Sequence, residues 1–119
     1  MSTVQILNST RPRKKYMAIF IYDTDGKKKK KTIHFGAANS KDYIFYHREK
    51  GKKFAEERKR LYYARHIKRE DWTKPMTAGT LSKYILWNKP TINESIKDYV
   101  KKFKFEVVGV APPHPAQKN

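Results

Sequence analysis

The chain has 119 residues, the length of one domain, and its 28 Lys and Arg against 11 Asp and Glu give a formal net charge of +17. It has no cysteine, which excludes disulfides, a thiol nucleophile and a cysteine zinc site. The longest apolar run, residues 17–22, is too short for a membrane-spanning helix, which needs about 20 residues. The first residues lack an apolar signal core, so we expect no secretion.

Residues 1–15 are predicted to be a basic, extended N-terminal arm, followed by a single compact domain over 16–110. Residues 16–22 are aromatic and β-branched, which predicts a strand. This strand is apolar on both faces, which indicates burial on both sides or contact in an assembly. The turn signal of residues 23–26 predicts an antiparallel hairpin with residues 27–35, whose lysine end projects past the sheet.

Helices are predicted after the hairpin. Residues 52–67 contain good helix formers and no Gly or Pro. Within them Phe54, Leu61 and Tyr62 have the spacing of a single helix face, which predicts that they pack together. Residues 77–87 form a second helix candidate with a weak point at Gly79. The hairpin is therefore followed by helical structure through the middle of the chain.

The clearest local signal is a capping box. Thr91 can cap a helix end and Glu94 stands three residues later, so a helix is predicted over residues 92–103. Residues 105–110 are predicted to form a last strand, and residues 111–119 an extended Pro-rich tail. The predicted fold class is α+β: a small N-terminal β-hairpin followed by about three helices.

The basic runs are the main candidate functional feature. Lys and Arg that contact phosphates give sequence-independent, salt-sensitive binding, and interleaved aromatic rings can stack on unpaired bases. A charge of +17 also exceeds the magnitude of about 2–8 that suits solubility. The alternatives are a solvated basic surface and contact with an acidic protein. The predicted contact residues are Arg11, Arg13, Lys14, Lys15, Lys27, Lys28, Lys29, Lys30, Lys31, Lys52, Lys53, Arg58, Lys59 and Arg60.

One cluster combines an imidazole with carboxylates. His66 and Glu70 would share one side of a helix, and Asp71 follows, which is a loose match to the ligand set of a small metal-dependent nuclease. The favoured interpretation is structural, in which the two carboxylates pair with neighbouring basic residues such as Arg65. The sequence contains no phosphate-binding glycine loop and no nucleophile elbow.

The two tryptophans stand on either side of residues 73–86. Tryptophan is enriched at the energetic centres of interfaces, so Trp87 is predicted to anchor a partner. Core packing is the favoured alternative for both Trp72 and Trp87, because a small domain with few aliphatic residues must use its rings.

A long string of residues in the second half of the chain, with a shorter one upstream, carries a family resemblance. It consists of Gly36, Ala37, Ser40, Asp42, Tyr43 and His47, then Tyr62, Tyr63, Ala64, Arg65, His66, Glu70, Asp71, Trp72, Pro75, Met76, Thr77, Ala78, Gly79, Leu81, Ser82, Lys83, Leu86, Trp87, Asn88, Lys89, Pro90, Thr91, Ser95, Ile96, Lys97, Asp98 and Tyr99. In these residues the chain resembles a family of small basic proteins of unassigned biochemistry encoded by large nucleocytoplasmic DNA viruses of algae and protists. The resemblance covers about residues 36–103.

The resemblance implies a virion component rather than an enzyme, and it supplies no catalytic residue. We expect a non-enzymatic minor capsid or cementing protein on the inner side of the capsid shell, present in the host cytoplasm during assembly. Its expected partners are the major capsid protein, other minor capsid proteins and packaged DNA. The alternatives are a basic DNA-binding or genome-packaging protein and a small nuclease. We expect no cofactor, metal or small-molecule substrate.

Side-chain chemistry within the family-like region predicts a polar clamp that ties two helices together. Arginine presents five donors in a planar fork that suits carboxylates, so Arg65 is expected to bind the acids that follow it. The predicted clamp residues are Arg65, His66, Glu70, Asp71 and Trp72.

Overall fold

The chain folds into one four-stranded sheet with helices. The computed structural model describes residues 2–110, and no helix in that range is long and apolar enough to cross a membrane. The strands are β1 (Thr3–Asn8), β2 (Lys14–Thr24), β3 (Lys27–Ala37) and β4 (Glu106–Val110). The helices are α1 (Tyr43–Lys50), α2 (Lys52–His66), α3 (Ala78–Leu81), which continues as a π-helical turn (Ser82–Leu86), and α4 (Ile92–Phe103). This mixed architecture agrees with the predicted α+β class; the predicted tail lies outside the described residues.

The first strand corrects the expected N-terminal arm. The sheet has the order β3-β2-β1-β4, so β1 lies inside it, antiparallel to β2 and parallel to β4. Val4 and Ile6 are buried because alternate residues of a strand point to the same side, and here that side is the core. Residues that look like a polar arm in isolation therefore supply part of the core.

The hairpin of β2 and β3 is longer than expected. Its two-residue loop consists of Asp25 and Gly26, both with positive φ (52° and 74°), as the turns that match strand twist require. Phe35 is buried at one end of the core face of β3, while Lys27, Lys29 and Lys31 on that same face are exposed. The lysine end of the hairpin thus projects from the core, as expected.

The predicted cap of α4 by Thr91 and the predicted range of the helix, residues 92–103, are confirmed. The Oγ1 atom of Thr91 accepts a hydrogen bond from the backbone N–H of Glu94 at 3.2 Å. Ile92, Ile96 and Tyr99 are buried along one face. Lys104 then takes the left-handed conformation that ends a helix and turns the chain into β4.

α1 is not among the predicted helices, and α2 differs in part from its prediction. The segment around residues 43–47 is a helix, α1, whose first turn is capped by Asp42 accepting from the N–H of Phe45 at 3.0 Å. In α2 the buried residues are Ala55 and Tyr62, whereas Phe54 is 45% exposed. The predicted inward face of α2 is therefore confirmed at Tyr62 and wrong at Phe54, while Leu61 is partly buried.

The core lies on one side of the sheet. Tyr16, Ala18 and Phe20 of β2 are fully buried, whereas the alternating Met17 and Ile19 are only partly buried. Burial of β2 on both sides, one of the two expectations for this apolar strand, is therefore incorrect. The other expectation, contact in an assembly, stays a prediction.

Candidate nucleic-acid interface

The most basic surface is a two-stranded ribbon at the free end of the hairpin. We call residues 20–31 the lysine ribbon: five consecutive lysines of β3 paired with the end of β2. Lys27, Lys29 and Lys31 share a face with Thr24, Tyr22 and Phe20, and Lys28 and Lys30 lie on the other face with Asp23 and Ile21. All five lysines are exposed. The ribbon therefore presents positive charge on both faces.

The shape of the lysine ribbon suits a polyanion. A two-stranded β-ribbon is one of the two elements that the major groove of B-DNA admits. Alternate residues of a strand lie about 6.6 Å apart, so lysines on one face reach along a phosphate backbone without crowding one another. Only Asp23 and Asp25 oppose this charge within the ribbon.

The other predicted contact residues divide by exposure. Those with exposed side chains are Arg11, Arg13, Lys52, Lys53 and Arg60; Lys14, Arg58 and Lys59 are partly buried and Lys15 is buried. Arg60 is engaged at the surface with Glu57, at 2.5 Å, and this carboxylate raises the pKa of the guanidinium. The exposed members extend the basic surface to the turn after β1 and the start of α2.

Lys15 must be withdrawn from the predicted contact residues. Its Nζ atom lies 2.7 Å from Oδ2 of Asp42, and both side chains are only 2% exposed. A buried lysine needs such a partner because desolvation of a lone charge is costly. Lys15 therefore connects β2 to the start of α1 and offers no charge to a partner.

Lys59 is also used inside the molecule. Its Nζ atom donates to the carbonyl oxygen of Asn88 at 2.7 Å and lies 4.0 Å from the ring centre of Tyr43. Burial lowers its pKa, and Glu56, 3.6 Å away, opposes that shift. Lys59 thus ties α2 to the segment that precedes α4.

The predicted polar clamp does not form as an ion-paired unit. Asp71 accepts from the backbone N–H and the hydroxyl of Thr73, which lowers the pKa of the carboxyl, and among residues 2–110 Arg65 forms no ion pair with Glu70 or Asp71. His66 instead stacks on Tyr62, with ring centres 4.2 Å apart. Trp72 packs against Tyr63 at 5.5 Å. The predicted clamp residues His66, Asp71 and Trp72 are thus held by separate partners rather than by one another.

The nuclease hypothesis requires His66, Glu70 and Asp71 to lie together around a metal ion. Within the described part of the chain no group of three or more His, Asp or Glu side chains is arranged to hold a metal ion. The carboxylate of Asp71 is hydrogen-bonded to Thr73 and not to His66. The set of residues on which that hypothesis depends is therefore not assembled.

Trp87 is a core residue rather than an exposed anchor. It is 8% exposed, and its ring stacks on Tyr62 with centres 4.4 Å apart and planes 13° apart. The hydroxyl of Tyr63 donates to its carbonyl oxygen at 2.9 Å. The expectation that Trp87 anchors a partner is thus corrected in favour of core packing, since α2 covers the ring.

Sequence reasoning missed a cavity of about 600 Å³ at the other end of the hairpin. It lies where the start of β2 and the end of β3 meet α2 and the helical segment 78–86. Arg58, Arg65, His66 and Glu70 all line it, so four residues chosen for other reasons share one site. The sequence does contain one indication of this site. Arg58 and Arg65 are seven residues apart in α2, a spacing that puts two cations on the same helix face.

Comparison with known proteins gives no assignment: no protein-family model, no curated protein and no solved structure matches the chain. The resemblance described above and the viral origin that it implies stay predictions. The geometry and charge of the described residues therefore carry the functional argument.

Proposed function

We propose that the protein is a non-enzymatic, DNA-binding component of the virion of a large DNA virus, and that its lysine ribbon contacts the phosphate backbone of packaged DNA. The observation that carries the proposal is the projecting hairpin end, where five consecutive lysines are all exposed. This binding needs no sequence recognition, because phosphate contacts depend on charge and spacing alone.

A different role for the same lysines is protection of the sheet edge. β3 is an edge strand, and lysines on such a strand oppose pairing with a second sheet. The two roles predict different consequences when the lysines are removed. Loss of edge protection causes self-association, whereas loss of phosphate contacts weakens DNA binding and its dependence on salt.

The test is the salt dependence of binding to a duplex of random sequence, measured by fluorescence anisotropy at several salt concentrations. Each lysine that contacts a phosphate contributes about 0.9 to the slope of log affinity against log salt. We expect a steep negative slope for the wild type, and a slope smaller by up to about 2.7 when Lys27, Lys29 and Lys31 are changed to Gln together.

The matched control removes the same charge elsewhere. Lys68, Lys97 and Lys101 are exposed residues outside the ribbon, and their joint change to Gln should leave most of the slope unchanged. Equal loss in both triple variants would show that net charge, rather than the lysine ribbon, drives binding. A salt-independent affinity in the wild type would refute the DNA-binding proposal.

A second candidate function is that of a minor capsid or cementing protein on the inner side of the shell. Two observations favour it: Met17, Ile19 and Ile21 on the less buried side of β2 are only partly buried, and Val108 on the edge strand β4 is 57% exposed. Exposed apolar surface and an open strand edge are typical of assembly contacts.

The position of the protein in purified particles distinguishes the two functions. Crosslinking of intact particles followed by mass spectrometry should join residues of β2 or β4 to capsid proteins if the cementing role is correct. Recovery of the protein only with the DNA core would favour the DNA-binding role and reject the capsid role. Absence from particles would reject both.

A further inference from the structure

The cavity at the base of the hairpin is separate from the lysine ribbon. Lys14 and Ala37 are the last paired residues of β2 and β3 at the cavity end of the hairpin. Thr24 and Lys27 are the last paired residues at the ribbon end. Ten residue steps of β2 separate the two ends, which at the rise of a strand is about 33 Å. A ligand in the cavity therefore binds independently of the lysine ribbon.

The walls of the cavity carry an excess of positive charge. Lys14, Lys41, Arg58 and Arg65 line it, and the buried Asp42 is neutralised by Lys15. Glu70 is the other acid on the wall. Cations gathered in a recess concentrate their field there, so the cavity favours a ligand that bears negative charge.

Two charged groups on these walls have buried atoms without hydrogen-bond partners. Among residues 2–110 neither Nε of Arg58 nor Oε2 of Glu70 has a partner, and both atoms are shielded from solvent. Buried polar atoms in folded proteins are normally paired, and a bound ligand is one reason for an exception. Oε2 of Glu70 lies against Gly79, so each side chain must turn toward the cavity before a ligand reaches it. A ligand that then satisfies both accepts a hydrogen bond at Arg58 and donates one at Glu70.

Aromatic rings line the same recess. Tyr62 is stacked between His66, at 4.2 Å, and Trp87, at 4.4 Å, and all three residues line the cavity. Tyr46 lies on the wall as well, with the guanidinium of Arg58 5.3 Å from its ring centre. Planar rings beside cations are the surroundings in which proteins hold a nucleobase next to its phosphate.

We propose that this cavity binds a nucleotide. Its phosphate is held by Arg58 with Lys14, Lys41 and Arg65, and an N–H of the base or a hydroxyl of the sugar donates to Glu70. Arginine suits the phosphate because its planar fork can make two parallel, charge-assisted bonds. A nucleoside phosphate has both the acceptor and the donor that the two unpaired atoms need, whereas inorganic phosphate lacks the ring and the sugar.

Isothermal titration of the full chain with the four ribonucleoside 5′-monophosphates, and with inorganic phosphate, tests this. We expect at least one nucleotide to bind about tenfold or more tightly than phosphate. Arg58→Gln should weaken that nucleotide about tenfold or more, as loss of a charge-assisted hydrogen bond does. Glu70→Gln removes the carboxylate acceptor and should weaken the nucleotide relative to inorganic phosphate.

The controls separate this site from net charge and from the ribbon. Lys97→Gln removes one exposed charge outside the cavity and should not change nucleotide affinity. The triple change of Lys27, Lys29 and Lys31 to Gln should also leave it unchanged, so failure of the DNA-binding proposal would not affect this one. Arg58→Lys keeps the charge without the fork and should bind with intermediate affinity; circular dichroism of each variant verifies folding.

A single-stranded 15-mer distinguishes the two sources of a nucleotide. Tighter binding of the 15-mer than of any mononucleotide, lost in Arg58→Gln and kept in the ribbon variant, assigns the cavity to one unit of a single strand. Equal or weaker binding of the 15-mer assigns it to free nucleotides. No binding of nucleotide or 15-mer at millimolar concentration, equal affinity for phosphate and nucleotide, or equal effects of Arg58→Gln and Lys97→Gln would overturn the proposal.

Discussion

At the scale of single residues, the buried ion pair of Lys15 and Asp42 joins the sheet to α1. Lys15 belongs to β2, and Asp42 also caps α1. One ion pair therefore connects the sheet to a helix that contributes to the wall of the cavity. Both side chains are 2% exposed, and a charge left alone in such a place is strongly unfavourable. The pair therefore couples two elements that are 27 residues apart in the chain.

We predict that breaking this pair from either side destabilises the fold. Lys15→Met leaves the carboxylate buried without its cation, and Asp42→Asn leaves the ammonium without its anion while keeping a capping residue. Each should lower the free energy of unfolding by about 3–5 kcal/mol, measured by urea denaturation.

The double variant provides the decisive comparison. With both charges removed, the loss should be clearly smaller than the sum of the two single losses, because no uncompensated charge remains. The exposed Lys97→Met should change stability by less than about 0.5 kcal/mol. Additive single effects would show that the two charges do not depend on each other.

A second prediction at this scale concerns Gly36, at the end of β3. Its φ is +78°, and a Cβ atom there would lie 2.6 Å from Cδ1 of the buried Leu86. Gly36→Ala should combine backbone strain with a steric collision and lower the free energy of unfolding by about 2–3 kcal/mol.

Gly26 is the matched control for that substitution. It has nearly the same φ, +74°, but a Cβ atom there would meet nothing within 4 Å. Gly26→Ala should therefore cost only the strain, about 1–2 kcal/mol, in the same denaturation experiment. Equal losses at the two glycines would mean that Leu86 moves aside at no cost.

At the scale of elements, the helices differ in how far interactions within the helix itself, rather than contacts with other elements, stabilise them. In α4 the hydroxyl of Thr91 caps the N–H of Glu94 and donates to its carboxylate, and four residues are buried, so its sequence and its packing agree. α2 has no side-chain cap and buries only Ala55 and Tyr62. Its position depends on contacts with other elements, such as the stack of Tyr62 on Trp87.

The cap of α4 gives a prediction at this scale. Thr91→Ala removes the side-chain acceptor for the N–H of Glu94 and should lower the free energy of unfolding by about 1 kcal/mol. Thr91→Ser keeps the acceptor and should be close to the wild type in the same thermal or urea experiment. Equal stability of the Ala and Ser variants would contradict a role for the cap.

At the scale of the whole molecule, the positive charges are divided unevenly between the exposed surface and internal contacts. Five lysines project on the ribbon, whereas Lys15 and Lys59 are tied to internal partners. The longest dimension of the described chain is 47 Å against 30 and 24 Å. A net charge of +17 on a body of this size opposes compaction through self-repulsion.

This repulsion predicts that salt stabilises the free protein. Raising the salt concentration from about 0.01 to 0.15 M shortens the screening length from about 30 to 8 Å, so the melting temperature should rise by a few degrees. Changing Lys27, Lys29 and Lys31 to Gln lowers the charge to +14 (17 − 3) and should reduce that rise. A melting temperature that falls with salt would show that favourable ion pairs outweigh the repulsion.

Several features were determined by the sequence alone because their causes are local. The capping box of Thr91 and Glu94, the Asp25-Gly26 turn and the exposed lysine end of β3 each depend on residues a few positions apart. The helical stretch of α2 follows from the absence of Gly and Pro. For these elements intrinsic preference and final structure coincide.

Only the tertiary structure decided which residues are available to a partner. β1 gains its place by pairing with β4, about a hundred residues later in the chain, so residues 3–8 look like an arm when considered alone. Lys15 and Trp87 are withdrawn from the surface by Asp42 and Tyr62, contacts that no local pattern predicts. The cavity at Arg58 and Glu70 arises where separate elements meet, because such recesses form only when distant segments pack together.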